Sequence, residues 1–109
     1  MQVAITAKSG YNRIMIEERY FVKIKEIFKE RLEKDDRVFV FGSSVENAKF
    51  NDVDVAIVSE NKEIDSVISK IKDALDESAL PYKFDVININ DTNDPFRARV
   101  MDGPKIWII

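Results

Sequence analysis

The sequence predicts one small α/β domain, and three observations carry that prediction. Apolar positions recur at helical spacing in two long stretches, shorter apolar runs between them have the length and composition of strands, and the few glycines and prolines punctuate the pattern. The resulting order is helix, strand, loop, strand, helix, strand, helix, strand. A chain of 109 residues holds one core of this kind and leaves no room for a second.

Residues 1–11 form an N-terminal extension that stays unassigned, either a short strand through Val3 and Ile5 or a loose lead, and the domain runs from 12 to 109. From about Asn12 to Lys34 the chain reads as an amphipathic helix, because Phe21, Ile24, Phe28 and Leu32 recur on one side with Ile27 beside them. Asn12 is the candidate N-cap. Asp35 and Asp36 break the pattern, and Val38-Phe39-Val40-Phe41 is a continuous apolar run of the kind found in a strand covered on both faces. It stops at Gly42. A polar stretch from Ser43 to Asn51 leads into Asp52–Val58, where period two sets Val53, Val55 and Ile57 on one face and Asp52, Asp54 and Ala56 on the other.

A second helix follows from about Lys62 to Ala79, with Ile64, Val67, Ile68, Ile71 and Leu75 as its apolar stripe and Pro81 as its stop. Tyr82–Ile89 is a third strand carrying Asp85 and Ile87 on one face and Phe84 and Val86 on the other. Asp94 as N-cap with Pro95 at the first helical position opens a short last helix, which Gly103 closes. Ile106–Ile109 is the terminal strand. It completes the core in the favoured reading; in the other, its apolar edge pairs with a second copy of the chain as a homodimer.

Composition removes whole classes of chemistry. The formal charge of -3 gives no broad basic surface for nucleic acid or anionic lipid. With neither cysteine nor histidine, disulfides, structural zinc and Ser-His or Cys-His relays are out of reach, which leaves carboxylates, hydroxyls, lysines or a hard metal. No secretory h-region opens the chain and no apolar run has membrane-spanning length, so a cytoplasmic protein with no membrane partner is expected.

An Asp-x-Asp triplet carries no information by itself: with 11 aspartates in the chain, one is expected by chance. Its setting does. Asp54 lies within a run of Val, Ala and Ile, where an uncompensated charge is costly, so either a cationic side chain or a bound cation must answer it. Alternate residues on a strand are roughly 7 Å apart along the backbone, near enough for Asp52 and Asp54 to share a metal site. Mg²⁺ takes one or two carboxylates together with substrate phosphates and water, and so selects a phosphate-bearing ligand. Gly42-Ser43 at the end of a buried strand suits close approach of backbone N–H groups and a hydroxyl to phosphate; read alone, the dipeptide favours a plain tight turn. Asp85, read alone, is equally a salt-bridged strand residue.

Taken together, Val38-Phe-Val-Phe-Gly-Ser-Ser, then Asn51-Asp-Val-Asp-Val-Ala-Ile-Val, then Phe84-Asp85-Val86 resembles the minimal nucleotidyltransferases of the polymerase β superfamily, and Phe96 to Trp107 is similar to that family's final helix and strand. The resemblance covers about residues 12 to 109. It implies an α/β (α+β) domain, a small mixed β-sheet packed by helices on one side, with the polymerase β palm-like fold. It also implies a site in which Asp52, Asp54 and Asp85 are catalytic and hold two Mg²⁺ ions, while Gly42, Ser43, Ser44 and Lys49 bind the nucleoside triphosphate, ATP. The reaction implied is transfer of AMP to a hydroxyl. Because the chain ends soon after this core, the acceptor is expected on another chain, and by resemblance that partner is an all-helical HEPN toxin for which the small protein is the antitoxin.

Where family members carry a basic or aromatic residue and an Ala-Arg-Gly-like segment after Gly-Ser, this chain has Ser44-Val45-Glu46-Asn47 and a shorter spacer, with Lys49 its one cation. This departure defines the alternative function, a weak or inactive nucleotide-binding antitoxin module. A third reading, an unrelated scaffold, requires Asp85 to lie far from Asp52 and Asp54.

Overall fold

The computed structural model describes residues 5–6, 13–14, 16–42 and 52–109. The elements are β1 (Ile5–Thr6), β2 (Arg13–Ile14), α1 (Glu18–Lys29), β3 (Arg37–Phe41), β4 (Asp52–Val58), α2 (Ile64–Glu77), β5 (Lys83–Asn88), a 3-10 turn (Ile89–Asp91), α3 (Asp94–Asp102) and β6 (Lys105–Trp107). Four strands form a mixed sheet in the order β5-β4-β3-β6. β3 runs antiparallel to both β4 and β6, whereas β4 and β5 are parallel. The parallel pair needs a crossover, and α2 supplies it.

Alternation along the strands decides what each face meets. Val38 and Val40 of β3, Val53, Val55 and Ile57 of β4 and Val86 of β5 point to one face, where they pack with Ile24, Ile27 and Phe28 of α1 and Ile64, Ile68, Ile71 and Leu75 of α2. This is the main core, and the two long helices share it on one side of the sheet as expected. The opposite face carries a smaller cluster of Phe39, Ala56, Ile89 and Val100, with Phe96 of α3 packed against it. The short helix thus covers part of the second face, the one on which Asp54 and Asp85 lie. Ile106 and Ile108 are buried, so the C-terminal stretch completes the core; Trp107 between them is exposed and takes an edge contact from Phe39 with ring centroids 4.9 Å apart.

Three elements differ most from the sequence reading. The first helix is shorter than 12–34: Arg13–Ile14 is a strand paired antiparallel with Ile5–Thr6, and helix begins only at Glu18 because Glu17 is still extended, with ψ of 139°. Asn12, the expected N-cap, lies outside the described residues. The helix also stops at Lys29, and the turn that follows is held further on by the buried Asp36, which accepts from Glu33 N–H at 2.9 Å. At α3 the cap moves one residue back: Asn93, not Asp94, accepts from Phe96 N–H at 2.9 Å, which puts Pro95 second in the helix. The terminal strand is displaced to Lys105–Trp107, though Ile108 and Ile109 N–H groups still donate to Val38 C=O.

A buried polar knot holds the far ends of β3 and β4. Asp36 accepts from Ser59 Oγ as well as from Glu33 N–H, Ser59 Oγ accepts from Asn61 N–H at 3.0 Å, and Asn90 Nδ2 donates to Ser59 C=O at 2.9 Å. Removing one member strands buried donors, so Asp36→Ala is expected to lower stability by about 1–3 kcal/mol. Urea denaturation checks this, and a midpoint equal to that of the unaltered protein would refute the role assigned to the knot.

Candidate active site

The second face of the sheet changes character along β4. Asp52, Asp54, Ala56 and Val58 share that face; the last two are covered with Phe39 and Val100, while Asp54 is half-buried and Asp52 exposed. Register then decides the neighbours. Asp54 stands beside Asp85 on the parallel strand β5 and opposite Phe41 on β3. Asp52 stands beside Lys83, also on the carboxylate face. The three aspartates singled out in the sequence are therefore gathered on one face at one end of the sheet, and the unrelated-scaffold reading, which required Asp85 to be remote, fails.

Gly42 follows Phe41 and has φ of +78°, in the left-handed region that favours glycine. A Cβ built at this position would land on Asp54 Oδ2. Glycine is thus required twice over, for the turn out of β3 and for the close approach of the backbone to the Asp54 carboxylate. Ser43, Ser44 and Lys49, the other expected nucleotide contacts, lie outside the described residues.

Among the described residues, the carboxylates of Asp52, Asp54 and Asp85 have neither ion-pair nor hydrogen-bond partners. Burial raises the pKa of Asp54 first, and repulsion from Asp85 and then Asp52 raises it further. No three acidic side chains among the described residues converge into a ready metal cage. What exists is an open acidic face with one partly desolvated carboxylate at its centre. It is flanked on the β5 side by a groove of about 420 Å³ lined by Asp52, Asp85, Lys83, Tyr82, Phe84 and Leu75, and on the α3 side by a depression of about 160 Å³ beside Gly42 and Arg99. Sequence reasoning missed Lys83 and Arg99. Alternation along β5 puts Lys83 on the face of Asp85, but its place beside Asp52 depends on the β4–β5 register and that of Arg99 on the packing of α3, neither of which leaves a local signal.

Two outcomes test this geometry. Folded chain holds the Asp54 proton more tightly than unfolded chain, so stability falls as pH rises from the free-carboxylate range through the raised native pKa. Asp54→Asn is accordingly expected to be more stable than the unaltered protein at neutral pH and to lose that advantage in acid, as read by thermal melting across the range. Gly42→Ala is expected to lose about 1–3 kcal/mol through backbone strain and displacement of the Asp54 carboxylate; an unchanged melting temperature would count against the close approach.

Comparison with known proteins gives the family of the fold that carries this face. The family model described as "Polymerase beta, Nucleotidyltransferase" matches residues 22–108. A Haemophilus influenzae protein named "Probable protein adenylyltransferase MntA" is 30% identical over 82 residues, covering 73% of this chain and 69% of that protein. The matched span includes the whole four-stranded sheet, both long helices' core positions and the gathered aspartates, and on these grounds the chain belongs to the minimal nucleotidyltransferases of the polymerase β superfamily.

Proposed function

We propose that this chain transfers AMP from ATP to a hydroxyl on a partner protein, with Asp52, Asp54 and Asp85 as the catalytic carboxylates. The observation that carries the reading is Asp54: a half-buried carboxylate, pushed up in pKa by its surroundings, pressed against Gly42 and left without a cationic partner among the described residues. Such a group is stabilised by an arriving cation. An open acidic face fits Mg²⁺, which is held by one or two carboxylates and completes its shell with phosphate oxygens and water. Two such ions held by Asp52, Asp54 and Asp85 would supply charge stabilisation for the attacking and leaving oxygens.

The chain's own residues do the rest. Gly42 lets backbone approach the phosphates, and Ser43, Ser44 and Lys49 in the segment that follows it are the remaining nucleotide contacts. The groove along β5 brings the acceptor hydroxyl beside Asp85, which takes its proton as the oxygen bonds to the α-phosphorus. The bond from that phosphorus to the bridging oxygen breaks, and pyrophosphate leaves. In-line placement of the two substrates supplies much of the rate.

The name of the Haemophilus influenzae relative, "Probable protein adenylyltransferase MntA", supports a protein acceptor. The partner proposed is a helical HEPN-type protein for which this chain is the antitoxin. Ser44-Val45-Glu46-Asn47 after Gly42-Ser43 favours a second reading, a nucleotide-binding antitoxin that docks without turnover. One assay separates them. The protein, labelled ATP, Mg²⁺ and the product of the adjacent gene are expected to give an AMP-labelled partner, and chelation is expected to abolish the label. Loss of a group that merely supports a metal ligand lowers activity about 10–100-fold, so Asp54→Asn is expected to cost roughly 100-fold or more. A tight complex that never carries label would establish the docking module instead.

A further inference from the structure

We infer that Arg99 is the cation that grips the distal phosphates of the triphosphate, in the depression on the far side of Gly42 from Asp85. The inference rests on the nucleotidyltransferase reading above and adds to it a residue and a direction for the nucleotide. Strand order places β3 between β4 and β6, so moving across the acidic end of the sheet one meets Asp85, then Asp54 and Asp52, then Gly42. Beyond Gly42 lies the depression of about 160 Å³, walled by Phe41, Gly42, Arg99, Val100, Gly103 and Pro104. Arg99 is the one charged residue in that lining.

The cations of this region are not equally free. Arg97 is fully engaged: its Nε donates to Ile89 C=O at 3.1 Å, and Nη2 donates to Asn90 C=O at 3.1 Å and to Thr92 C=O at 2.6 Å. Lys105 Nζ donates to Met101 C=O and sits 3.5 Å from Gly103 C=O, closing the last turn of α3. Lys83 is on the acidic side, beside Asp52. Arg99 alone among these lines the depression beside Gly42, is exposed, and donates no side-chain hydrogen bond among the described residues; its guanidinium carbon lies 5.9 Å from the Phe96 ring centroid, free to swing toward the turn.

Charge sets the orientation. The α-phosphate belongs at the aspartates, where the reacting oxygen arrives, and the distal phosphates must then run away from three carboxylates. The route across Gly42 leads to Arg99, whose planar fork matches two phosphate oxygens.

Binding of ATP, ADP and AMP to the Mg²⁺-loaded full chain, by calorimetry, tests this. Arg99→Ala is expected to weaken ATP roughly tenfold or more and to leave AMP unchanged. Arg99→Gln, which keeps most of the stem, is expected to show the same selective loss, with melting temperatures of both variants at the level of the unaltered protein. Equal weakening of ATP and AMP would make the depression a base or sugar site and overturn the assignment. ATP affinity unaffected by either variant would remove Arg99 from the site while leaving the nucleotidyltransferase reading intact. Failure of the unaltered protein to bind ATP would overturn that reading, and this inference with it.

Discussion

The register of β4 is the constraint on which everything else depends. Val53, Val55 and Ile57 are fully buried against the two long helices, and because side chains alternate, their burial forces Asp52 and Asp54 to the opposite face. A slip of one residue would drive Asp54 into the main core and bring three large apolar side chains into water. The strength of that preference is what lets the fold hold like charges side by side. Hydrophobic burial on one face thus maintains an electrostatically unfavourable arrangement on the other.

The second face is divided between support and chemistry. Toward the C-terminal end of β4, Ala56 is small enough for Phe39, Ile89 and Val100 to close over it, and this cluster seats α3 on the sheet. Toward the N-terminal end the face stays open and acidic, with grooves on both sides of the carboxylates. The boundary falls at Asp54, half covered and half in solvent, and its raised pKa follows from that position. A carboxylate wholly in water would be less sensitive to its neighbours, and one wholly buried would be neutral.

Much of this was legible in the residues, for identifiable reasons. Period-two alternation reports strand faces directly, so the grouping of Asp52 with Asp54, and of Val53 with Val55 and Ile57, needs no tertiary information. The stripes of both long helices were equally plain; their ends were not, because a helix terminus depends on tertiary contacts such as Asp36 with Ser59 and on caps that neighbouring Asn93 and Asp94 could each supply. Cross-strand pairing was invisible as well. The adjacency of Asp54 and Asp85 came to the sequence reading only through family resemblance, and Lys83 was missed, since a parallel register across a helical crossover leaves no local trace. Gly42 was found as a turn, but its second constraint, the Asp54 oxygen occupying the place of a Cβ, exists only in three dimensions.

Helix α3 shows how the two halves of that face are mechanically joined. Arg97 and Arg99 are two residues apart, which on an α-helix directs their side chains to nearly opposite sides. Arg97 fastens the helix to the carbonyls of Ile89, Asn90 and Thr92, the connection that leaves β5 and therefore the strand carrying Asp85. The other side of the helix, through Arg99 and Val100, borders Gly42 at the end of β3. Nine residues thus bridge the strand bearing one carboxylate and the turn that touches another. Since Val100 is buried in the cluster with Phe39 and Ala56, the bridge is anchored in the middle of the sheet as well as at its two ends. A displacement of β5 relative to β3 must strain this helix or break its hydrogen bonds. The spacing between Asp85 and Gly42 is accordingly held by packing and backbone hydrogen bonds, and not by the carboxylates themselves, whose mutual repulsion acts to widen it.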